Sequence, residues 1–362
     1  TASVTVKLLP FDNKSELQIV VDLPEGASLE DTERVLFAAA ERAQSLPEIV
    51  SIQAYAGTAS PFNFNGLVRH SYLRSRPEQG DLQVNLLPKS DRGRESHAVA
   101  LDLRERLKGL PAPEGTVVKV VEVPPGPPVM SPIVAEIYGP EPAGRQQVAR
   151  EVRRVFEQTP GIVDVDDSGI AAAPRKLLLV DRQKAAMLGV PQQAIVTTLR
   201  AGLAGEATAY VHDETKSPAA AVLQLPPERQ GDIDALLQLA VRTGEGRLVP
   251  IRELVRVSDT QREQPLYHKD LLPVHFVVAD MAGQLDSPLY GMFKMRGELA
   301  RIATPGGGTL QETFIRQPDD PYREVTLKWD GEWQVTYETF RDMGAAYAVG
   351  LVLIYLLVVA QF

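Results

Sequence analysis

The chain contains no cysteine in 362 residues. Disulfides, thiolate metal sites and cysteine nucleophiles are therefore excluded, while the cellular compartment stays open. Basic charge is also short, because 38 Lys and Arg face 47 Asp and Glu, for a net charge of -9. A nucleic-acid surface needs a basic stripe, so no nucleic-acid partner is expected. Histidines are few: His70, His97, His212, His268 and His275 are scattered, and none forms an H-E-x-x-H spacing. Signatures of covalent chemistry are missing too. There is no G-x-S-x-G elbow and no G-x-x-x-x-G-K-[ST] phosphate loop. Gly306, Gly307 and Gly308 have no lysine after them and follow a predicted helix, so they read as a flexible connection. We expect no enzyme activity, no cofactor and no metal centre. His212, Asp213 and Glu214 read as a solvated loop. Met292 and Met295 share a helical face and read as packing rather than soft-metal ligands. Asp166 and Asp167 read as a turn after a strand.

Apolar residues are plentiful. At 44% hydrophobic and 23% charged, the chain can bury the cores of two or three domains. One long apolar run stands out. From Met343 to Phe362 no residue is charged, and roughly 20 apolar residues cross a hydrocarbon core. A spanning helix is predicted over 343–362; a buried core helix and a tail anchor are the alternatives. Just before it, Trp333, Tyr337 and Phe340 share one helical face, which predicts an interfacial helix over 333–342.

The rest alternates strand and helix. Residues 3–9 and 16–23 read as strands. A helix is predicted after Ser28, the N-cap, with Leu29, Val35, Leu36, Ala39, Ala40 and Ala43 on its apolar face. A strand begins near Ile49, residues 57–66 form a loop, and strand 81–87, helix 94–108 and strand 116–123 follow. This pattern predicts a ferredoxin-like split βαβ unit. It then recurs: Pro47-Glu48-Ile49-Val50 after the first helix is matched by Pro160-Gly161-Ile162-Val163 after a second. The second unit finishes only with strand 274–279, helix 289–303 and strand 324–329, and residues 173–265 read as an insertion. The proline-rich residues 124–128 read as an extended linker. The expected class is α+β: two ferredoxin-like units, the second interrupted by an inserted α+β domain, then a membrane helix.

Specific stretches resemble the second large periplasmic loop of resistance-nodulation-division (RND) efflux permeases. Residues 8–16 (LLPFDNKSE) are similar to the segment after the family's seventh transmembrane helix. Asp181, Lys184, Ala185, Leu188, Gly189 and Val190 match its D-x-x-K-A-x-x-L-G-V signature. Ile195 to Leu199 matches I-x-x-T-L, Leu248-Val249-Pro250-Ile251 its V-P step, and 345–362 the start of its eighth helix.

The resemblance implies a portion of a proton-driven pump that exports amphiphilic compounds such as drugs, dyes and detergents. It implies a homotrimer in the bacterial inner membrane, with this chain mostly periplasmic, working with a periplasmic adaptor and an outer-membrane channel. Residues 1–124 would be one porter subdomain, 125–172 with 266–332 the second, and 173–265 the docking domain. Loop 57–66 would carry Phe62 and Phe64 to the substrate, with Tyr72 facing the same cleft and Arg69, Arg74 and Arg76 adding charge. Phenyl faces give non-directional contact and accept a cation; packing beneath the loop is the bland alternative for both phenylalanines. Residues 203–218 would form a hairpin toward a neighbouring subunit. The proton-relay residues would lie in helices outside this chain. A metal-exporting branch of the family is one alternative, and a tail-anchored envelope scaffold is another.

Overall fold

A computed structural model describes residues 12–123, 129–212, 216–282 and 287–361. The strand expected over 3–9 and the linker expected over 124–128 lie outside the described residues.

The chain divides into two compact units, Ala172–Glu263 and the remainder. In the larger unit the first elements are β1 (Glu16–Asp22), α1 (Leu29–Gln44), β2 (Ile49–Ala56), α2 (Phe64–Val68), β3 (Gln79–Leu86), α3 (Ser96–Leu107) and β4 (Val117–Val121). The strands form an antiparallel sheet in the order β2-β3-β1-β4. That order makes the unit a split βαβ fold. Period-2 alternation in β1 sends Leu17, Ile19 and Val21 to the helix side, where each is at most 1% exposed. Burial of each side chain stabilises the fold by roughly 1.5–3 kcal/mol. Val35, Leu36, Ala39 and Ala43 of α1 and Val99, Ala100, Leu103 and Leu107 of α3 meet them. Ser28 caps α1 as expected, its Oγ accepting from the Asp31 N–H at 3.1 Å.

The pattern repeats with β5 (Ile133–Tyr138), α4 (Pro142–Gln158) and β6 (Ile162–Asp167). Asp166 and Asp167 are the last residues of β6, pairing with Val278 and Val277, and are not a turn.

The smaller unit contains β7 (Pro174–Val180), α5 (Arg182–Met187), α6 (Gln192–Ala204), β8 (Glu206–Val211), β9 (Ala219–Leu223), α7 (Pro227–Gln230), α8 (Ile233–Gln238), β10 (Ala240–Arg242), β11 (Leu248–Pro250) and β12 (Val255–Gln261). Three antiparallel pairs, β7 with β12, β8 with β9 and β10 with β11, make up its sheets. The ten-residue signature has a structural reading here. Asp181 caps α5, Gly189 takes φ 64, and Ala185 and Val190 join Ile195, Val249 and Ile251 in the core. Lys184 pairs with Glu253 at 2.7 Å.

The larger unit resumes with β13 (Tyr267–Lys269), β14 (Leu272–Met281), α9 (Pro288–Leu299), β15 (Gln311–Thr313) and β16 (Thr326–Gly331). Its second sheet runs β13-β14-β5-β16-β15, with β6 also paired to β14. The strands of the repeated unit, β6-β14-β5-β16, take the same spatial order as the first sheet. The core under α4 and α9 centres on Trp329, stacked on Phe156 at 6.1 Å. Met292 and Met295 are 2% and 0% exposed within this core, as expected for packing. On the other face of the sheet Glu136 and Lys328, neighbours in register, pair at 3.3 Å with almost no exposure. The triple glycine closes a tight turn, with the Thr304 N–H donating to the Gly308 carbonyl at 2.9 Å, rather than a flexible connection.

Residues 333–342, expected as a separate interfacial helix, are instead the first turns of one continuous 30-residue helix, α10 (Glu332–Gln361). The ring of Trp333 turns onto its own subdomain, 6.2 Å from Phe293 and 5.8 Å from Phe314, and its Nε1 donates to the Phe314 carbonyl at 2.9 Å. An indole with a core to pack on and a carbonyl to bond is no longer free for a membrane surface. The helix is long and apolar enough to cross a membrane.

Candidate functional site

The loop of residues 57–78 joins β2 to β3 and carries all three predicted aromatic contacts. Its base is fixed by backbone bonds, Gly57 N–H to Gln79 O at 2.8 Å and Leu23 N–H to Glu78 O at 2.9 Å. Asn63 caps α2, its Oδ1 accepting from the Gly66 N–H at 2.6 Å. Phe62 precedes that cap, Phe64 opens α2, and Tyr72 sits in the short helical turn Ser71–Leu73. Between them His70 takes φ 57, a left-handed conformation that bends the chain back. The bend brings Phe62 and Tyr72 together, ring centroids 5.8 Å apart, while Phe64 is not part of that pair.

These rings are not core residues. Phe62 is 76% exposed, Phe64 44% and Tyr72 40%. The alternative of packing beneath the loop therefore fails for Phe62. Beneath the loop lie polar groups: Ser60, Asn65 and Ser71 are buried, as are Gln18 of β1 and Asp81 of β3. Gln18 Nε2, Asn65 Oδ1 and Ser71 Oγ have no hydrogen-bond partner. The floor under the loop is therefore largely polar.

The three arginines expected to add free charge are paired instead. Arg74 is an anchor on the loop's own sheet. Its Nη1 lies 2.8 Å from Asp22, its Nε 2.9 Å from Asp81, and Nη2 donates to the Val21 and Gly80 carbonyls at 2.9 and 3.2 Å. The contact with Asp81 is ionic and lacks hydrogen-bond alignment. Burial pushes the Asp81 carboxyl up to about 6; Arg74 opposes the shift and Asp22 adds to it. Arg76 lies 3.5 Å from Glu78. Arg69, the C-cap of α2, reaches Asp280 of β14 at 3.3 Å.

That last contact belongs to an ionic seam between the two sheets. Arg104 of α3 lies 3.1 Å from Asp164 of β6 and 3.6 Å from Glu122, and Lys119 of β4 pairs with Asp166. Asp164 takes φ 55 where β6 bulges against β14, a conformation that aspartate tolerates. Burial pushes its carboxyl up to about 6; Arg104 pulls it down and Asp280 adds to the rise. Asp167 is the opposite case. Burial acts upward on it, but His275, Arg153 and the Gly169 N–H outweigh that and bring it down to about 2. None of these pairs was legible beforehand: Arg69 and Asp280 are 211 positions apart, with no motif to join them.

The arrangement presents an exposed aromatic pair on a loop whose arginines are ion-paired. Among the described residues no group of three His, Cys, Asp or Glu is placed to hold a metal ion.

A family model described as the AcrB/AcrD/AcrF family matches residues 1–292. No curated protein sequence matches the chain. Among solved structures it is similar to a heavy metal efflux pump in two crystal forms. The TM-scores are 0.73 and 0.69 at 18% and 19% identity, covering 100% and 98% of this chain. The chain spans about a third of the length of those proteins, 35% and 34%.

Proposed function

This chain belongs to the AcrB/AcrD/AcrF family of RND permeases, and on that footing we propose that it supplies the cargo-contacting and assembly surfaces of a proton-driven pump for amphiphilic compounds. The observation that carries this reading is the exposed Phe62–Tyr72 pair, held out from the sheet on a polar-floored loop. An aromatic pair left in water can bury area against any apolar partner and receive a cation over a ring face, without demanding one shape. The chain works by binding and release, not by covalent chemistry. In this reading α10 crosses the inner membrane and the remainder is periplasmic. The β8–β9 hairpin, with Tyr210, Val211, Val222 and Leu223 all more than half exposed, reaches a neighbouring copy in a trimer. An adaptor and an outer-membrane channel complete the assembly.

The test is ethidium binding by the intact protein in lipid nanodiscs, followed by fluorescence. Phe62→Ala and Tyr72→Ala are each expected to weaken binding about three- to tenfold, the worth of one aromatic contact. Phe64→Ala is expected to weaken it less. Unchanged affinity in the triple variant would refute the reading.

Metal ions are the second cargo class, because the similar solved structures are of a heavy metal efflux pump. On this chain the soft thioethers of Met292 and Met295 are packed inside the core. Protection of cells against copper or silver salts by the intact protein, with no effect on ethidium, would favour that class.

A further inference from the structure

We propose that Arg69 is a positioning residue for the aromatic pair: its ion pair with Asp280 ties the loop to the second sheet, so the placement of the two sheets sets the placement of Phe62 and Tyr72. The proposal rests on the cargo-contacting reading of that pair.

The loop has two cationic anchors of different kinds. Arg74 grips β1 and β3, the strands from which the loop itself emerges, and holds its end wherever the second sheet lies. Arg69 grips Asp280 on β14 of the other sheet, Nη1 to Oδ2 at 3.3 Å, with both side chains largely buried. Its position in the loop gives the grip leverage. It closes α2, which Phe64 opens, and it immediately precedes the left-handed His70 that turns the chain toward Tyr72. The loop presents its own buried Ser60, Asn65 and Ser71 toward a largely polar floor that includes Gln18 and Asp81.

The joint between the sheets is built from the same chemistry. Arg104 with Asp164 and Lys119 with Asp166 cross it beside Arg69 with Asp280. Ion pairs at this depth gain about as much from hydration as from each other. A seam made of them regains hydration when it parts, which offsets the lost pairing. Arg69 is the cation of this seam that lies on the aromatic loop, so a change at the seam reaches the rings through it. Asp280 also faces Arg104 and Asp164, so substitutions are made at Arg69, whose loss leaves Asp280 with a remaining cation.

The experiment uses the intact protein in nanodiscs, with nitroxide labels at Leu67→Cys on α2 and Arg150→Cys on α4. Both are exposed, and the chain has no cysteine of its own. Circular dichroism verifies folding of each variant. The unsubstituted pair is expected to give one narrow distance distribution. Arg69→Lys keeps the charge and the narrow distribution, with ethidium affinity within about twofold. Arg69→Met broadens the distribution and weakens ethidium binding about fivefold or more, the usual range of coupling between two sites. A narrow distribution in Arg69→Met overturns the proposal. So does a broad one with unchanged ethidium affinity, provided that Phe62→Ala still weakens binding. If Phe62→Ala changes nothing, the cargo reading fails by itself, and the label distances alone judge whether Arg69 ties the loop.

Discussion

Arg74→Met should destabilise the first sheet in a way that depends on pH, because the substitution strands Asp81. That carboxylate is 0% exposed and titrates at about 6 against an ordinary 3.8 with Arg74 beside it. At pH 7 its desolvation already costs about 3 kcal/mol relative to the unfolded chain. Without Arg74 burial raises the carboxyl further, toward folding protonated. The cost is then capped by the free energy of protonating a carboxylate at pH 7, about 4.3 kcal/mol. The added electrostatic penalty is therefore about 1.4 kcal/mol. Two lost hydrogen bonds to the Val21 and Gly80 carbonyls add about 1 kcal/mol each. At pH 5 Asp81 is mostly protonated in both proteins, so the electrostatic part falls to nearly zero and only the hydrogen-bond part remains. Urea unfolding followed by circular dichroism should show a loss of about 3 kcal/mol at pH 7, shrinking by about 1 kcal/mol at pH 5. Asp81→Asn in the Arg74→Met background should recover about 4 kcal/mol at pH 7, the whole cost of folding a protonated carboxyl, because an amide has no proton to take up. An equal loss at both pH values, with no recovery in the double variant, would refute the account of Arg74 as the counter-charge of a buried acid.

Three further outcomes follow from the same structure. Asp164 titrates at about 6 in the fold against 3.8 ordinarily. Its contribution is fully present below about pH 4 and is lost as pH rises through 6, so Asp164→Asn should flatten the stability–pH curve in that window; unfolding midpoints across pH 4–7 measure it. Asp167, held near 2, has the opposite sign, and its contribution disappears only as pH falls below about 4. Gly331 has φ 77, and a Cβ there would lie 2.6 Å from the Ser131 carbonyl oxygen. Gly331→Ala should therefore cost more than about 1 kcal/mol and loosen the start of α10, seen as faster amide exchange at Trp333 and Gln334.

Much of the architecture was legible because it is written in local periodicity and punctuation. The alternation in β1, the Ser28 cap and the recurrence of Pro-x-Ile-Val after α1 and α4 each follow from contacts within a few positions of chain. The signature from Asp181 to Val190 was legible for the same reason, since cap, turn glycine and core residues lie within one helical turn and its exit. The aromatic loop was half legible. Phe62, Phe64 and Tyr72 were named through the resemblance of their loop to that of RND permeases, but not the pairing of Phe62 with Tyr72, which needs the left-handed turn at His70. The inward packing of Trp333, at the start of the aromatic face before the apolar run, was not legible. Helical spacing shows that Trp333, Tyr337 and Phe340 align, but not that Phe293 and Phe314 wait beside Trp333.

The sequence by itself determined the two repeated αβ units, the interruption of the second, the long apolar helix and the absence of thiol chemistry. Each depends on composition or on short-range pattern, where neighbours in the chain are neighbours in space. Only the tertiary structure decided how charges meet. Glu136 and Lys328 lie in central strands, 192 positions apart, and each reads alone as an error in a hydrophobic strand. Register on adjacent strands turns them into a buried pair. Arg69, Arg74 and Arg104 read as loop or helix charges until the fold supplies their partners: Asp81 from the loop's own sheet for Arg74, and Asp280 and Asp164 from the second sheet for Arg69 and Arg104. An ion pair needs its partners within a few ångströms, and chain topology alone decides which distant carboxylate arrives there.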